Sequence, residues 1–148
     1  MASRFFKLKE AEELLPVVEA LLNTAINRKK KSEVLEAEFA RLRQRVALHG
    51  GIVVHRERMA GMKQQKDCSA SELREALLET EAAGCLVKDL DIGLIDFPCL
   101  VDRREVYLCW KLGEPNIGHW HDRNEGCAGR KPINRGFLER QEDAPHPN

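Results

Sequence analysis

The 148-residue sequence has no long hydrophobic run and few aromatic residues. No apolar stretch approaches the roughly 20 residues that a membrane-spanning helix needs. The first residues, MASRFFKLKEAEELLP, lack the apolar segment and the small-residue cleavage site of a signal peptide. Aromatic residues make up 5% of the chain and the net charge is zero, so stacking platforms and excess positive charge for nucleic acid are both missing. We therefore expect a cytoplasmic protein that binds neither membranes nor nucleic acid.

Sequence signatures of several common sites are also missing. The five cysteines are an odd number and form no CxxC pair, which argues against a disulfide framework and against a zinc ribbon. Gly50-Gly51 is not followed by the Lys-Ser/Thr of a phosphate-binding loop. Cys109 could act as a nucleophile only with a histidine beside it to lower its pKa, and sequence spacing does not place one there.

The first half of the chain has a clear helical period, with apolar residues recurring at alternating steps of four and three from Leu14. This pattern predicts a helix from about Lys9 to about Leu48, ended by Gly50-Gly51. Pro16 predicts either a kink or a start near Leu15. A second helical stretch runs to about residue 83, and the short connection makes the two helices antiparallel neighbours. Residues 55–68 fit either a helix or a loop, because the capping-box sequence at Ser69 to Glu72 favours a start near Ala70.

After Gly84 the period changes to two, which is typical of strands. We predict strands over 85–90, 94–101 and 105–112, joined by turns at 91–93 and 102–104. Three strands cannot bury themselves, so one face of this antiparallel β-meander should pack on the helical hairpin. The predicted fold class is α+β in a single domain over residues 1–135, with a long ordered loop at 113–133 and a flexible tail at 136–148.

The loop after the third strand carries a polar cluster that a folding core alone does not require. His119 and His121 can converge because residues two apart in an extended segment share a side, while Trp120 points the opposite way. Imidazole and carboxylate groups suit a divalent transition metal such as Zn, Fe or Mn. The predicted metal ligands are Glu114, His119, His121 and Glu125.

Three further residues are predicted to bind a ligand: Asp96, Trp120 and Arg130. We expect the guanidinium of Arg130 to turn inward and form a bidentate pair with Glu114 or Asp96. Two alternatives to the metal site remain open. One is a solvated loop with hydrogen-bonding histidines, and the other is an anion or small-molecule pocket built on Arg130 and His121.

Several short stretches resemble one known family. They are VKDL at 87–90, GLIDFP at 93–98, LCW at 108–110 with Gly113-Glu114, Trp120-His121, and the segment from Gly126 to Ile133. In combination they are similar to the prokaryotic domain-of-unknown-function family 2203, and the resemblance extends weakly over residues 5–83. The family has no assigned activity, so the resemblance implies no mechanism. The family pattern usually has an aromatic residue at the position of His119.

Two functions from different classes follow from these observations. The first is a divalent-metal or small-ligand binding protein, hydrolytic or oxidative if it is an enzyme, with its site in the loop after the meander. The second is a non-enzymatic structural or interaction module that works through the helical hairpin. The long first helix carries more apolar surface than one partner helix covers, which predicts a homodimer through the helices. The competing arrangement is a monomer with the sheet folded over the Leu14 to Leu22 end.

Overall fold

The computed structural model describes residues 4–143 and has the predicted α+β architecture, a helical hairpin followed by an antiparallel sheet. Its sheet has five strands rather than the predicted three. The elements are α1 (Leu8–His49), α2 (Ile52–Ala82), β1 (Leu86–Asp89), β2 (Leu94–Val101), β3 (Arg104–Lys111), β4 (His119–Asp122), a 3₁₀ turn (Cys127–Gly129), β5 (Lys131–Pro132) and α3 (Arg135–Arg140).

The two long helices are joined by Gly50 and Gly51, which have positive φ angles of 76° and 87°. Such angles are costly for residues with a Cβ, so the glycine pair is what permits this tight connection. Helix α1 begins at Leu8 and Pro16 lies inside it, so the predicted start near Leu15 is wrong. Within residues 4–143, neither long helix has an apolar stretch long enough to cross a membrane.

Residues 55–68 belong to α2, and the loop interpretation of this segment is wrong. Met59 and Met62 are half-buried along it. The ammonium group of Lys66 lies 5.1 Å from the ring centroid of Phe39 on α1. These contacts hold a segment helical whose own sequence signal is weak, as tertiary packing commonly does.

The sheet is a continuous antiparallel meander in the order β1-β2-β3-β4-β5. Strands β2 and β3 are joined by two residues, Asp102 and Arg103, with φ angles of 49° and 64°. Two central residues with positive φ are characteristic of the type I′ hairpin turn, whose twist matches that of the strands. The turn therefore sets the register of the two central strands, with Val101 opposite Arg104.

The predicted loop at 113–133 contains the two additional strands. Pro115 and Gly118 interrupt the chain as predicted, but β4 then pairs with β3 from Cys109 opposite His119 to Val106 opposite Asp122. Strand β5 pairs with β4 in turn, and the Ile133 N–H donates to the Gly118 carbonyl at 2.9 Å. These pairings satisfy backbone groups along β3 that a three-stranded sheet would leave at an edge.

The hydrophobic core lies between one face of the sheet and the first half of α1. Its largest fully buried side chains include Phe97 and Trp110 from the sheet and Leu22 from α1. Phe6 precedes α1 and packs edge-on against Phe97, with ring centroids 5.3 Å apart. The helical hairpin thus covers one face of the sheet and leaves the other face for the candidate site.

The segment from Arg135 is an ordered part of this core, which corrects the prediction of a flexible tail over 136–143. Phe137 on α3 is 0% exposed, and its ring centroid lies 5.0 Å from that of Trp120. The Asn134 side chain accepts a hydrogen bond from the Phe137 N–H at 2.9 Å and caps α3. Gln141 then forms an isolated antiparallel β-bridge with Val101. The burial of Phe137 thus holds the segment against the sheet although its composition is polar. Residues 144–148 of the predicted tail lie outside the described residues.

Candidate metal centre

The face of the sheet turned away from α1 carries a cluster of buried polar side chains. Asp96 on β2 lies opposite Cys109 on β3, and Cys109 lies opposite His119 on β4. His121 lies two residues further along β4, opposite Tyr107. Because side chains alternate along a strand, all of these residues share one face of the sheet.

Three of these side chains converge. One ligand atom from each of Asp96, Cys109 and His121 lies within 4.8 Å of the other two. The Nε2 atom of His121 is 3.0 Å from the Oδ2 atom of Asp96. Asp96 is 1% exposed, Cys109 0% and His121 4%. This is a buried Asp-Cys-His group with the donor atoms and spacing to hold a metal ion.

The orientation of His121 is set by its backbone neighbour. Its Nδ1 atom lies 2.9 Å from the Asp122 carbonyl oxygen, which can only accept, so Nδ1 carries the donated proton. The Nε2 atom then points at the Oδ2 atom of Asp96. A histidine held in this way through Nδ1 presents Nε2 as a metal ligand.

Burial perturbs the other two members of the cluster, and it leaves one oxygen of Asp96 unpaired within residues 4–143. Burial raises the pKa of Asp96, an effect that the hydrogen bond and charge of His121 only partly oppose. The Oδ1 atom of Asp96 is buried without a hydrogen-bond partner among the described residues. Burial also raises the pKa of Cys109, and the neighbouring Cys127 sulfur raises it further. A bound cation would reverse both shifts and occupy the unpaired oxygen, since it favours the ionised forms.

The cluster lies at the base of an open cavity of about 490 Å³. Asp96 and His121 reach its floor, and Lys88, Tyr107 and Arg123 line it. The Lys88 ammonium lies 5.7 Å from the Tyr107 ring centroid. The charge of Lys88 lowers the pKa of Asp96, and that of Arg123 lowers the pKa of Tyr107, although burial leaves both pKa values above their usual range. Two acidic side chains, Asp89 and Glu125, line the cavity as well, so a small solute approaches the cluster between two positive and two negative side chains.

Of the four predicted metal ligands, the cluster contains only His121. Glu114 instead accepts from Arg130 Nη1 at 3.2 Å and from the Lys111 N–H at 2.8 Å. Glu125 pairs with the Lys131 ammonium at 2.8 Å. His119 lies on the same face, with Nδ1 buried and without a partner among residues 4–143. Strand β4 places His119 and His121 on one face of the sheet as predicted, whereas the ion pairs of Glu114 and Glu125 direct these two carboxylates to other partners.

The three predicted ligand-binding residues have different positions. Asp96 is part of the cluster. Arg130 pairs with Glu114, one of its two predicted partners, through one contact between Nη1 and Oε1 at 3.2 Å rather than through the predicted bidentate pair. Trp120 turns to the core side, where it packs on Phe137 and lies under the Lys131 ammonium, 4.7 Å from its ring centroid.

Cys109 was missed as a cluster member, although the sequence contains a signal for it. A turn of two residues at 102 and 103 places Asp96 opposite Cys109, whereas the predicted turn of three residues shifts that register. A shift of one residue changes which side chains share a face across the pair. The prediction failed because the turn between β2 and β3 was taken to be one residue too long.

Comparison with known protein families gave a match over most of the chain. A family model described as "Uncharacterized conserved protein (DUF2203)" matches residues 4–133. No curated protein and no solved structure matches the chain. The matched range includes both long helices, all five strands and every residue of the cluster.

Proposed function

We propose a metal-binding function for this chain, which belongs to the DUF2203 family of uncharacterised conserved proteins. In this proposal Asp96, Cys109 and His121 hold one divalent transition-metal ion at the base of the cavity. The observation that carries it is the convergence of three different buried ligand atoms within 4.8 Å of one another. A folding core alone gives no reason to bury a carboxylate and an imidazole beside a thiol, because the first two are costly there without a partner.

The ligand types favour zinc. Zinc is bound in proteins by thiolate sulfur, imidazole nitrogen and carboxylate oxygen, whereas magnesium and calcium prefer oxygen alone. Three protein ligands leave a position of a tetrahedral ion for water or substrate, which is the arrangement of catalytic rather than structural zinc sites. The second support is the Nδ1 bond of His121 to the Asp122 carbonyl, which orients Nε2 for binding.

Hydrolysis is the reaction class that this arrangement supports best. A bound zinc ion would lower the pKa of a coordinated water to about 7 and would so supply a nucleophile near neutral pH. The chain itself supplies the cavity, whose lining includes two cationic side chains, Lys88 and Arg123, and two acidic ones, Asp89 and Glu125. The two cations can pair with a carboxylate or phosphate of a substrate next to the bond that is cleaved.

Cobalt substitution tests the proposal. Titrating Co²⁺ into the metal-free protein should give a near-ultraviolet charge-transfer band from the Cys109 thiolate and the visible bands of a tetrahedral ion. Cys109→Ser should remove the charge-transfer band, and His121→Ala should weaken binding at least about tenfold. His119→Ala is the matched control, since it removes the neighbouring imidazole on the same strand and should bind normally. Binding of unchanged strength in His121→Ala, or the absence of a charge-transfer band in the wild-type protein, would contradict the proposal.

The second candidate function is an interaction module, and the tip of the hairpin favours it. Four apolar side chains near the turn are 60% to 82% exposed: Leu48, Ile52, Val53 and Val54. Exposed apolar patches commonly mark contacts with other proteins. If the hairpin joins two chains, light scattering gives twice the 16.9 kDa mass of one chain. Leu21→Glu and Val54→Glu test the middle and the tip of the hairpin separately, and a wild-type mass near 16.9 kDa contradicts the predicted homodimer.

A further inference from the structure

A second thiol lies beside the candidate metal centre. The Sγ atom of Cys127 is 2.7 Å from the Sγ atom of Cys109. Cys127 begins the 3₁₀ turn after β4, and this turn lies over the strand face that carries Cys109. Cys127 is half-buried and lines the cavity, whereas Cys109 is fully buried behind it.

The other three cysteines have different surroundings. Cys99 points into the core, where burial raises its pKa to about 12. Cys85 donates to the Thr80 carbonyl at 3.4 Å, and burial raises its pKa to about 11. Cys68 is exposed on α2 and lies near Glu72. Cys109 and Cys127 are thus a specific pair, and Cys127 is its accessible member.

We propose that Cys109 and Cys127 form a reversible thiol–disulfide pair that a hydroperoxide oxidises through the cavity. A disulfide bond is about 2.0 Å long, so from 2.7 Å the two sulfurs need to approach by only about 0.7 Å. The guanidinium of Arg130 lies 3.9 Å from the Cys127 sulfur. The accessible sulfur of the pair is therefore held in place beside both Cys109 and Arg130.

The reaction has two steps. The Cys127 thiolate attacks the O–O bond of hydrogen peroxide, which forms Cys127 sulfenic acid and releases hydroxide, and that hydroxide takes up a proton to become water. The Cys109 sulfur then attacks the Cys127 sulfur, and a second water leaves as the disulfide forms. The two thiols lose two electrons, which reduce the peroxide to two molecules of water. A dithiol reverses the change by thiol–disulfide exchange.

Oxidation also regulates the metal centre in this scheme, a step that rests on the proposed function. Metal ligation needs the Cys109 thiolate, whereas the disulfide uses the same sulfur. Disulfide formation and metal binding therefore exclude each other at Cys109. The formation of the disulfide itself requires no metal.

The test uses the full chain with Cys68→Ser, which removes the exposed thiol. After treatment with hydrogen peroxide and alkylation under denaturing conditions, peptide mass mapping should find Cys109 linked to Cys127, with Cys85 and Cys99 alkylated. Dithiothreitol should restore four free thiols. Adding Cys127→Ser, which keeps the side-chain size at a half-buried position, should abolish the linkage while circular dichroism stays unchanged. Four thiols that all remain alkylatable after peroxide, or a linkage through Cys85 or Cys99, would overturn the pair.

Repeating the peroxide treatment with added zinc separates this inference from the proposed function. Saturating Zn²⁺ should slow disulfide formation at least about tenfold, because bound thiolate is withdrawn from the second step. An unchanged rate with zinc bound overturns the regulatory step. A disulfide that forms in a protein unable to bind zinc supports the thiol pair and overturns the metal centre. Zinc binding in a protein that forms no disulfide supports the metal centre and overturns the thiol pair.

Discussion

The burial of Phe137 gives a direct test of the C-terminal part of the fold. Phe137→Ala removes a side chain that is 0% exposed and stacks at 5.0 Å on Trp120. Truncating a fully buried phenylalanine costs about 3 to 5 kcal/mol, because the transfer free energy is lost and a cavity remains. For a chain of this size, roughly 3 °C per kcal/mol converts this to a drop in melting temperature of about 10 to 15 °C.

Leu138→Ala is the matched control, since it changes the next residue of the same helix at a position that is 42% exposed. Leu138→Ala should lower the unfolding free energy by less than about 1 kcal/mol. Urea denaturation followed by tryptophan fluorescence and circular dichroism measures both variants, and Trp120 reports directly on the lost contact. Equal stability of the two variants would refute the packing of α3 and restore the flexible tail over 136–143.

Three further predictions test other contacts. Arg130→Lys should lower the unfolding free energy by about 1 kcal/mol, because the guanidinium bond to Glu114 is lost, and an unchanged melting temperature would contradict this. Burial raises the pKa of Cys99 from 9.0 to about 12, so stability present below pH 9.0 is lost as pH rises towards 12. Urea titrations at about pH 8 and about pH 10.5 measure this loss of unfolding free energy. Between the two pH values Cys99→Ala should lose about 2 kcal/mol less unfolding free energy than the wild type, and equal losses would show that the pKa of this thiol is not raised by folding. Gly93→Ala should destabilise the β1–β2 turn, because φ is +69° and the new Cβ would lie 2.5 Å from the Leu112 Cβ; an unchanged urea midpoint would contradict it.

Local signals in the sequence were enough to predict the hairpin and the central strands. The turn residues on either side of β2, at 91–93 and from Asp102, were enough to predict Leu94 to Val101 with its observed bounds. The glycine pair at 50 and 51 marked the helical turn because few other residues adopt positive φ. These features depend on neighbours in the sequence, so they can be read without knowing the fold.

The features that were missed depend on distant partners. Strand β4 has four residues and β5 has two, too short for a period to be visible, and they form because β3 offers an edge. Helix α3 has six residues and is held by the burial of Phe137. Metal-ligand spacing was sought within one segment, whereas Asp96 and His121 come from β2 and β4 and meet across the intervening strand.

Elemental analysis tests the central claim most directly. Protein purified without a histidine tag, and never exposed to chelator, should contain about one equivalent of zinc or another transition metal per chain. His121→Ala and Asp96→Asn should lose that metal while remaining folded by circular dichroism, whereas His119→Ala should keep it. A folded wild-type protein that carries no metal and takes up none from added zinc would contradict the metal centre.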